Sequence, residues 1–204
     1  MNVFIFNDSN LKNGILITNK SQKKLSIDKL TTSENTLFVL PNELVQFVEF
    51  KHNLKNKQNI HASILNNSAS LNISDKDQLV LDTSNNKNFF ITNREYEGKI
   101  KKVFNNFNNT IAITSDLLFF KEAFNKNCIY QNNIYLVESE EAVKLSKKAF
   151  NLLDDNFSIK EISDSELKEI KNTNFVSHKL NTFNISSIFN IKELIKPAMI
   201  MSVI

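Results

Sequence analysis

Glycine is almost absent from this chain: Gly14 and Gly98 are the only two in 204 residues. Loops that hold phosphate groups use several glycines, because backbone N–H groups converge on an anion only where no Cβ stands in the way. Walker-type and dinucleotide-type phosphate loops therefore lack their glycines here. This scarcity argues against nucleotide hydrolysis.

The other reactive side chains are scattered along the sequence. His52, His61 and His178 lie far apart and lack metal-like spacing with carboxylates. Cys128 is the only cysteine, so it forms no internal disulfide and is predicted to be a buried structural thiol in a reducing compartment. The sequence therefore predicts no catalytic residue, no metal site and no cofactor.

Basic residues are numerous but are not concentrated on one surface. The net charge is +3, lysines alternate with acidic residues, and Arg94 is the only arginine. Arginine favours bidentate phosphate contacts, so its scarcity favours solvated lysine faces over a nucleic-acid interface. A basic nucleic-acid-binding domain stays an alternative, and it would bind with an affinity that falls steeply with salt.

Short apolar runs between asparagine-rich turns predict most of the secondary structure. The runs at 3–6, 14–18, 25–30, 37–40, 44–50, 78–82, 110–114, 128–130 and 134–138 predict strands, as does the sequence NFFIT. Amphipathic spacing predicts helices over 51–67, 93–107, 116–124, 139–155 and 164–172, and Ser115 or Asp116 is expected to cap the third. Helices that alternate with short strands indicate an α/β protein with mixed sheets.

The last residues, IKELIKPAMIMSVI, become apolar after Pro197. One interpretation is a terminal helix that packs on the core. The other is the start of a membrane helix, because Lys192 and Lys196 would suit a cytoplasmic flank. The apolar residues 198–204 are too few to cross a bilayer alone, since a span takes about 20 residues.

Several segments in order resemble the cytoplasmic part of type II secretion system protein L. VLPNELVQFVEF resembles the family's buried strand, proline turn and second strand. Asn93 and Arg94 stand where the family has a D/N-R motif that opens a helix, and IAITSDLLFF resembles its strand and PDLLALP turn. KPAMIMSVI falls where the single membrane helix would start, whereas IHASIL replaces the family's LPFALE and loses its proline and acid.

The resemblance implies a degenerate actin-like (ribonuclease H-like) α/β fold with flanking helices. It further implies two lobes, residues 1–76 and 77–190, and a juxtamembrane segment, residues 191–204, that would begin a transmembrane helix. Related pilus-assembly proteins share this layout but keep glycine-rich nucleotide loops. An actin-like ATP-binding protein of pilus assembly is therefore the second alternative.

As a member of that family the chain would be a non-enzymatic adaptor at the cytoplasmic face of the bacterial inner membrane. It would recruit the assembly ATPase through the N-terminal domain of that enzyme, contact other inner-membrane platform proteins, and bind no nucleic acid; a homodimer is also compatible with this role. By analogy with the family, the partner-binding residues are expected to be Ile60, Ile64, Leu65, Leu71, Gln78, Val80 and Asp82.

Overall fold

The computed structural model describes residues 2–18, 21–30, 36–67, 77–83, 87–105, 107, 110–138, 141–152, 157–170 and 175–181. The strands in these ranges are β1 Asn2–Phe6, β2 Asn13–Ile17, β3 Gln22–Ser26, β4 Thr36–Leu40, β5 Gln46–Glu49, β6 Gln78–Asp82, β7 Asn88–Asn93, β8 Thr110–Ser115, β9 Cys128–Tyr130, β10 Asn133–Glu138, β11 Glu141–Ser146, β12 Lys160–Glu161 and β13 His178–Asn181. The helices are α1 Lys57–Asn67, α2 Arg94–Val103, α3 Asp116–Phe124, α4 Lys147–Phe150 and α5 Asp164–Glu169, and a 3₁₀ turn spans Ile27–Lys29.

The largest sheet has six strands in the order β13-β8-β4-β1-β2-β3. β1, β2 and β3 form an antiparallel meander, whereas β4 lies parallel to β1 and β8 lies parallel to β4. The mixed sheets confirm the predicted α/β class, and this strand order is consistent with its actin-like (ribonuclease H-like) form.

The central strands of the six-stranded sheet are buried on both faces, which explains their continuous apolar runs. In β1, Phe4 and Phe6 point into one core cluster together with Phe38 and with Phe104 at the end of α2. The alternate residues of the same strands point into a second cluster, which contains α3 and residues of β9 and β10. The phenylalanine rings on the first face touch edge to face, with centroids 4.6 Å apart for Phe38 and Phe104.

Two smaller sheets complete the structure. One has four strands in the order β11-β10-β9-β12, and the other has three in the order β5-β7-β6. Pairing of β4 with β8, and of β5 with β7, joins strands from both sides of residue 76. The predicted lobes, 1–76 and 77–190, therefore share two sheets, and residues 68–76 at their predicted boundary lie outside the described residues.

The predicted helix over 139–155 is wrong. Residues Glu141–Ser146 form β11, which pairs along its full length with β10, and among the described residues of this range only Lys147–Phe150 is helical. The alternation of Val143 and Leu145 with Lys144 fits a strand, and the pairing with β10 outweighs a helical propensity that is only weak. The helix predicted over 51–67 begins only at Lys57.

Side-chain caps fix where the helices begin. Ser115 is the N-cap of α3, and its Oγ accepts a hydrogen bond from the Leu118 N–H at 3.2 Å. Asn93 caps α2 in the same way through the Tyr96 N–H. None of the described helices has the length and hydropathy needed to cross a bilayer. The predicted juxtamembrane segment, 191–204, lies outside the described residues.

Candidate functional site

The predicted partner-binding residues lie on α1 and on the strand that it packs against. α1 contacts β6, which is an outer strand of the three-stranded sheet. The helix begins after Asn56, whose Oδ1 accepts a hydrogen bond from the Gln58 N–H at 2.8 Å. The structure thus brings Ile60, Ile64 and Leu65 next to Gln78, Val80 and Asp82. Leu71 lies outside the described residues.

Burial separates these residues into two groups. Ile64 is 1% exposed and packs with Phe89 and Ile91 in a third core cluster, so it has almost no surface to offer a partner. Ile60, Leu65 and Val80 are partly buried against that cluster, and Gln78 is also half-buried. The outward face of α1 is formed by other residues, which are Lys57, Gln58, Asn59, Ala62, Asn66 and Asn67.

Asp82 holds α1 against the sheet. Its Oδ1 lies 2.7 Å from His61 Nε2, its Oδ2 forms an ion pair with Lys57, and its backbone carbonyl oxygen contacts His178 Nδ1. Burial alone would raise the pKa of Asp82, but the hydrogen bonds from Lys57 and His61 outweigh burial and lower it. Burial lowers the pKa of His178. Asp82 is therefore ionised, and its carboxylate connects β6 to Lys57 and His61 of α1.

A second polar cluster lies at the carboxyl end of the parallel strands β4 and β8. Ligands of open α/β sheets bind at this edge, outside the carboxyl ends of the strands. Here the position is taken by Asp116, the first residue of α3, which is 5% exposed. Its Oδ1 accepts hydrogen bonds from the N–H of Asn42 at 2.9 Å and of Leu117 at 2.7 Å.

The other oxygen of Asp116 is bound by two side chains from the four-stranded sheet. Lys144 Nζ lies 2.7 Å from Asp116 Oδ2, and the Tyr135 hydroxyl donates to the same oxygen at 3.3 Å. Lys144 Nζ also lies 3.1 Å from Glu43 Oε1. We call Glu43, Asp116, Tyr135 and Lys144 the carboxyl-edge cluster. The cluster joins the β4–β5 turn, α3 and the four-stranded sheet.

The ionisation of these groups suits a structural role. Burial raises the pKa of Asp116, although the Lys144 ammonium opposes this effect. Burial alone would lower the pKa of Lys144, but the charge of Asp116 outweighs burial and raises it, so the lysine stays charged. Burial raises the pKa of Tyr135 well above its ordinary value and that of the Cys128 thiol to about 11. Neither group supplies a nucleophile at neutral pH.

Both glycines lie inside secondary structure. Gly14 is in β2, where an added Cβ would lie 2.5 Å from the Ile5 carbonyl oxygen, so it permits close packing of β2 on β1. Gly98 is in α2, and an added Cβ there would meet no atom within 4 Å. Within the described ranges, no group of three or more histidine, cysteine or acidic side chains is placed to hold a metal ion.

Sequence reasoning missed the carboxyl-edge cluster. Asp116 stood out only as a helix cap, Glu43 only as part of the turn after Pro41, and Lys144 only as part of the wrongly predicted helix. The contacts join residues that are 19 to 101 positions apart in the chain. The local signal that could have indicated it is a lysine between two apolar residues, Val143 and Leu145, in an alternating segment.

Comparison with solved structures gives a likeness in three dimensions, whereas comparisons by sequence give none. No protein-family model matches the chain, and no curated protein matches it by sequence. The cytoplasmic domain of EpsL, an inner-membrane component of the type II secretion system of Vibrio cholerae, superposes with a TM-score of 0.47 and 5% sequence identity. The match covers 83% of this chain and 92% of that domain. At this score and identity, the likeness does not determine the function.

Proposed function

We propose that this protein is a non-enzymatic adaptor of a type II secretion, or related pilus-type, apparatus. In this proposal it recruits the cytoplasmic assembly ATPase, through the N-terminal domain of that enzyme, to the inner membrane. Several segments resemble type II secretion system protein L in the same order along the chain, and this resemblance supports the proposed family. The carboxyl-edge cluster supports the absence of an enzymatic role.

The main support for the proposal is that side chains of the protein itself, Asp116 and Lys144, fill the carboxyl edge of the sheet. A nucleotide bound at this edge would need backbone N–H groups at the start of a helix to face its phosphates. In this chain the Asp116 carboxylate accepts the hydrogen bonds of the Asn42 and Leu117 N–H groups, and Lys144 neutralises it. Because these N–H groups already bind the carboxylate, they are not available to a phosphate, and the edge is suited to holding the fold together.

The α1–β6 surface supports docking of a protein partner. A rigid helix that lies on a sheet offers a preformed binding face, and a partner can bind there with little ordering cost. The partner-facing residue at the middle of α1 is Ala62, which is exposed, whereas Ile64 beneath it is buried. We therefore assign recognition of the ATPase to the outward face of α1 and its flank on β6.

Calorimetric titration with the N-terminal domain of the secretion ATPase from the same organism tests this proposal. Ala62→Arg places a bulky charge on the outward face of α1 and is expected to weaken binding about tenfold or more. Ala149→Arg on α4 is the matched control, since Ala149 is also an exposed helical alanine. Absence of binding by the folded parent chain would refute the adaptor role, and equal losses in both variants would refute the surface.

A thermal-shift measurement with magnesium and ATP tests the alternative of an ATP-binding protein. A ligand that binds only the folded state must raise the melting temperature, by about 2.7 kcal/mol of stability at a hundredfold excess over Kd. We expect no shift with ATP at millimolar concentration. A clear shift that disappears in an Asp116→Ala variant would place a nucleotide at the carboxyl edge and contradict the proposal.

A further inference from the structure

The outer strand β11 of the four-stranded sheet lacks the edge protection that β3 and β12 have. Proteins guard free strand edges with exposed lysines, with very short strands or with covering elements. β3 carries the exposed Lys23 and Lys24, and β12 has only two residues. β11 contacts α3, which lies on the inner face where Lys144 meets Asp116, and α4, which follows it in the chain. β11 has six residues, and within the part of the chain that the structure describes it pairs only with β10.

The lysine in the middle of β11 does not protect its edge. Lys144 is turned to the inner face of the sheet, where it binds Asp116, and its side chain is only 12% exposed. The outer face of the strand carries Val143, which is 50% exposed, and Leu145. These residues lie opposite Leu136 and Ile134 of β10. Ile134 is buried, so the apolar row becomes exposed only toward the edge, at Val143.

The hydrogen-bond pattern shows which backbone groups point outward. The Lys147 N–H donates to the Asn132 carbonyl oxygen at 3.0 Å, in the same register that pairs Asn133 with Ser146. Because hydrogen-bonded and non-hydrogen-bonded pairs alternate in an antiparallel ladder, Val143 and Leu145 bond inward to β10. The N–H and C=O groups of Ala142, Lys144 and Ser146 therefore point away from β10 to the open edge.

We infer that a second copy of this chain binds along β11, antiparallel, about a two-fold axis at Lys144. In this register Ala142 pairs with Ser146 of the second copy, and the two Lys144 residues pair with each other, so every outward backbone group gains a partner. Val143 then lies opposite Leu145 of the second copy in a non-hydrogen-bonded pair. The exposed valine thereby gains an apolar neighbour, and the two four-stranded sheets become one.

Charge does not oppose this pairing. Like charges directly opposite each other weaken a sheet, but each Lys144 ammonium is already bound to Asp116 and Glu43 of its own chain. β3 is the contrasting case. The Ile27 N–H donates to the Lys12 carbonyl oxygen at 2.9 Å, so by the same alternation the backbone groups of Lys24 point outward from β3. If two β3 strands paired there, the exposed charge of Lys24 would face an identical charge. The sequence thus favours self-pairing at β11 and opposes it at β3. This inference does not depend on the proposed function.

Cysteine cross-linking tests the register. Residues opposite each other in a non-hydrogen-bonded pair have Cα atoms about 4.5 Å apart, within the range that a disulfide bridges. A mixture of Val143→Cys and Leu145→Cys chains should form disulfide-linked dimers at least about tenfold faster than either variant alone. The natural Cys128 is fully buried and does not interfere. Equal yields from the mixture and from each single variant would overturn the proposed register.

Proline substitution tests the edge itself, with dimerisation followed by sedimentation at up to about 1 mM protein. Ala142→Pro removes the outward backbone N–H of residue 142 in each chain of the dimer and leaves the hydrogen bonds to β10 intact. It should therefore weaken association about tenfold or more. Lys24→Pro makes the same change at the β3 edge and should leave association unchanged. A parent chain that stays monomeric throughout, or a dimer that Ala142→Pro leaves unaltered, would overturn the inference and leave the edge to another partner.

Discussion

Replacing Lys144 with methionine removes the cation from the carboxyl-edge cluster and keeps the length of the side chain. The Lys144 and Asp116 side chains are only 12% and 8% exposed, so the variant leaves a buried carboxylate without its counter-charge. Breaking a buried pair in this way costs about 3–5 kcal/mol of folding stability. Asn42, Leu117 and Tyr135 still donate hydrogen bonds to the carboxylate, so we expect the lower end, about 3 kcal/mol.

Glu43 supplies the matched control within the same cluster. Like Asp116, Glu43 pairs with the Lys144 ammonium: its Oε1 lies 3.1 Å from Lys144 Nζ. Its side chain, however, is 61% exposed. An exposed ion pair contributes at most about 1 kcal/mol, so Glu43→Gln should cost at most about a third of what Lys144→Met costs. The contrast isolates the buried contact, because Glu43→Gln removes only the exposed ion pair of Lys144, whereas Lys144→Met removes both that pair and the buried pair with Asp116.

The assay is urea and thermal unfolding followed by circular dichroism at low micromolar protein. A loss of about 3 kcal/mol lowers the melting temperature of a chain of this size by about 6–12 °C. The loss should shrink as the pH is lowered, because burial raises the pKa of Asp116 and the protonated acid can stay buried without a cation. Adding Asp116→Asn to Lys144→Met should recover most of the stability, since no lone charge is then buried.

The result that would refute this reasoning is a small and pH-independent effect. If Lys144→Met costs no more than Glu43→Gln, the ion pair with Asp116 is not a buried contact in solution. If the double variant is less stable than Lys144→Met, the carboxylate contributes through its backbone hydrogen bonds alone. Either result would remove the main physical support for a sheet edge that is filled by the chain itself.

Two further predictions concern pH and backbone packing. Burial raises the pKa of Glu122 in α3 from 4.5 to about 7, so the folded state binds the proton more tightly and stability falls as pH rises between these values. Glu122→Gln should abolish this pH dependence and, at pH values above it, should raise the free energy of unfolding by about 1 kcal/mol, after allowance for partial exposure. The exposed Glu95→Gln should do neither. Unfolding measured over a range of pH values tests both expectations. Gly14→Ala should destabilise the chain by about 1–3 kcal/mol through its clash with the β1 backbone, whereas Gly98→Ala should stabilise it by about 0.5–1 kcal/mol; melting curves of the two variants that shift in the same direction would contradict this.

The buried strands could be predicted from sequence because both of their faces are apolar. The runs VFIF and LFVL give β1 and β4, and neither strand needs a long-range contact to be recognised. The segment from Glu141 to Ser146 is different, because its apolar residues fit a helix and a strand almost equally well. Only its pairing with β10 decides between the two, and single-sequence patterns do not contain that pairing.

The candidate sites show the same division between local and long-range information. α1 and β6 are neighbours in the chain and in space, so the sequence could place the predicted docking residues together. It could not place Ile64 in the core and Ala62 outside, because the helix has only a weak apolar periodicity and its rotation follows from packing on Phe89 and Ile91. The ion pair of Asp116 with Lys144 depends on the three-dimensional meeting of α3 and β11.

Lys144 links the two surfaces on which the proposals rest. An edge strand and a filled ligand position are separate features in most α/β proteins, but here one side chain produces both. When the ammonium of Lys144 turns inward to Asp116, it neutralises the carboxylate at the sheet's carboxyl end. The same turn removes from β11 the charge that would keep another strand away. Lys144→Met therefore separates the two effects: it should weaken the fold at the carboxyl edge and leave the outward backbone groups of β11, and hence self-pairing of the folded chain, unchanged.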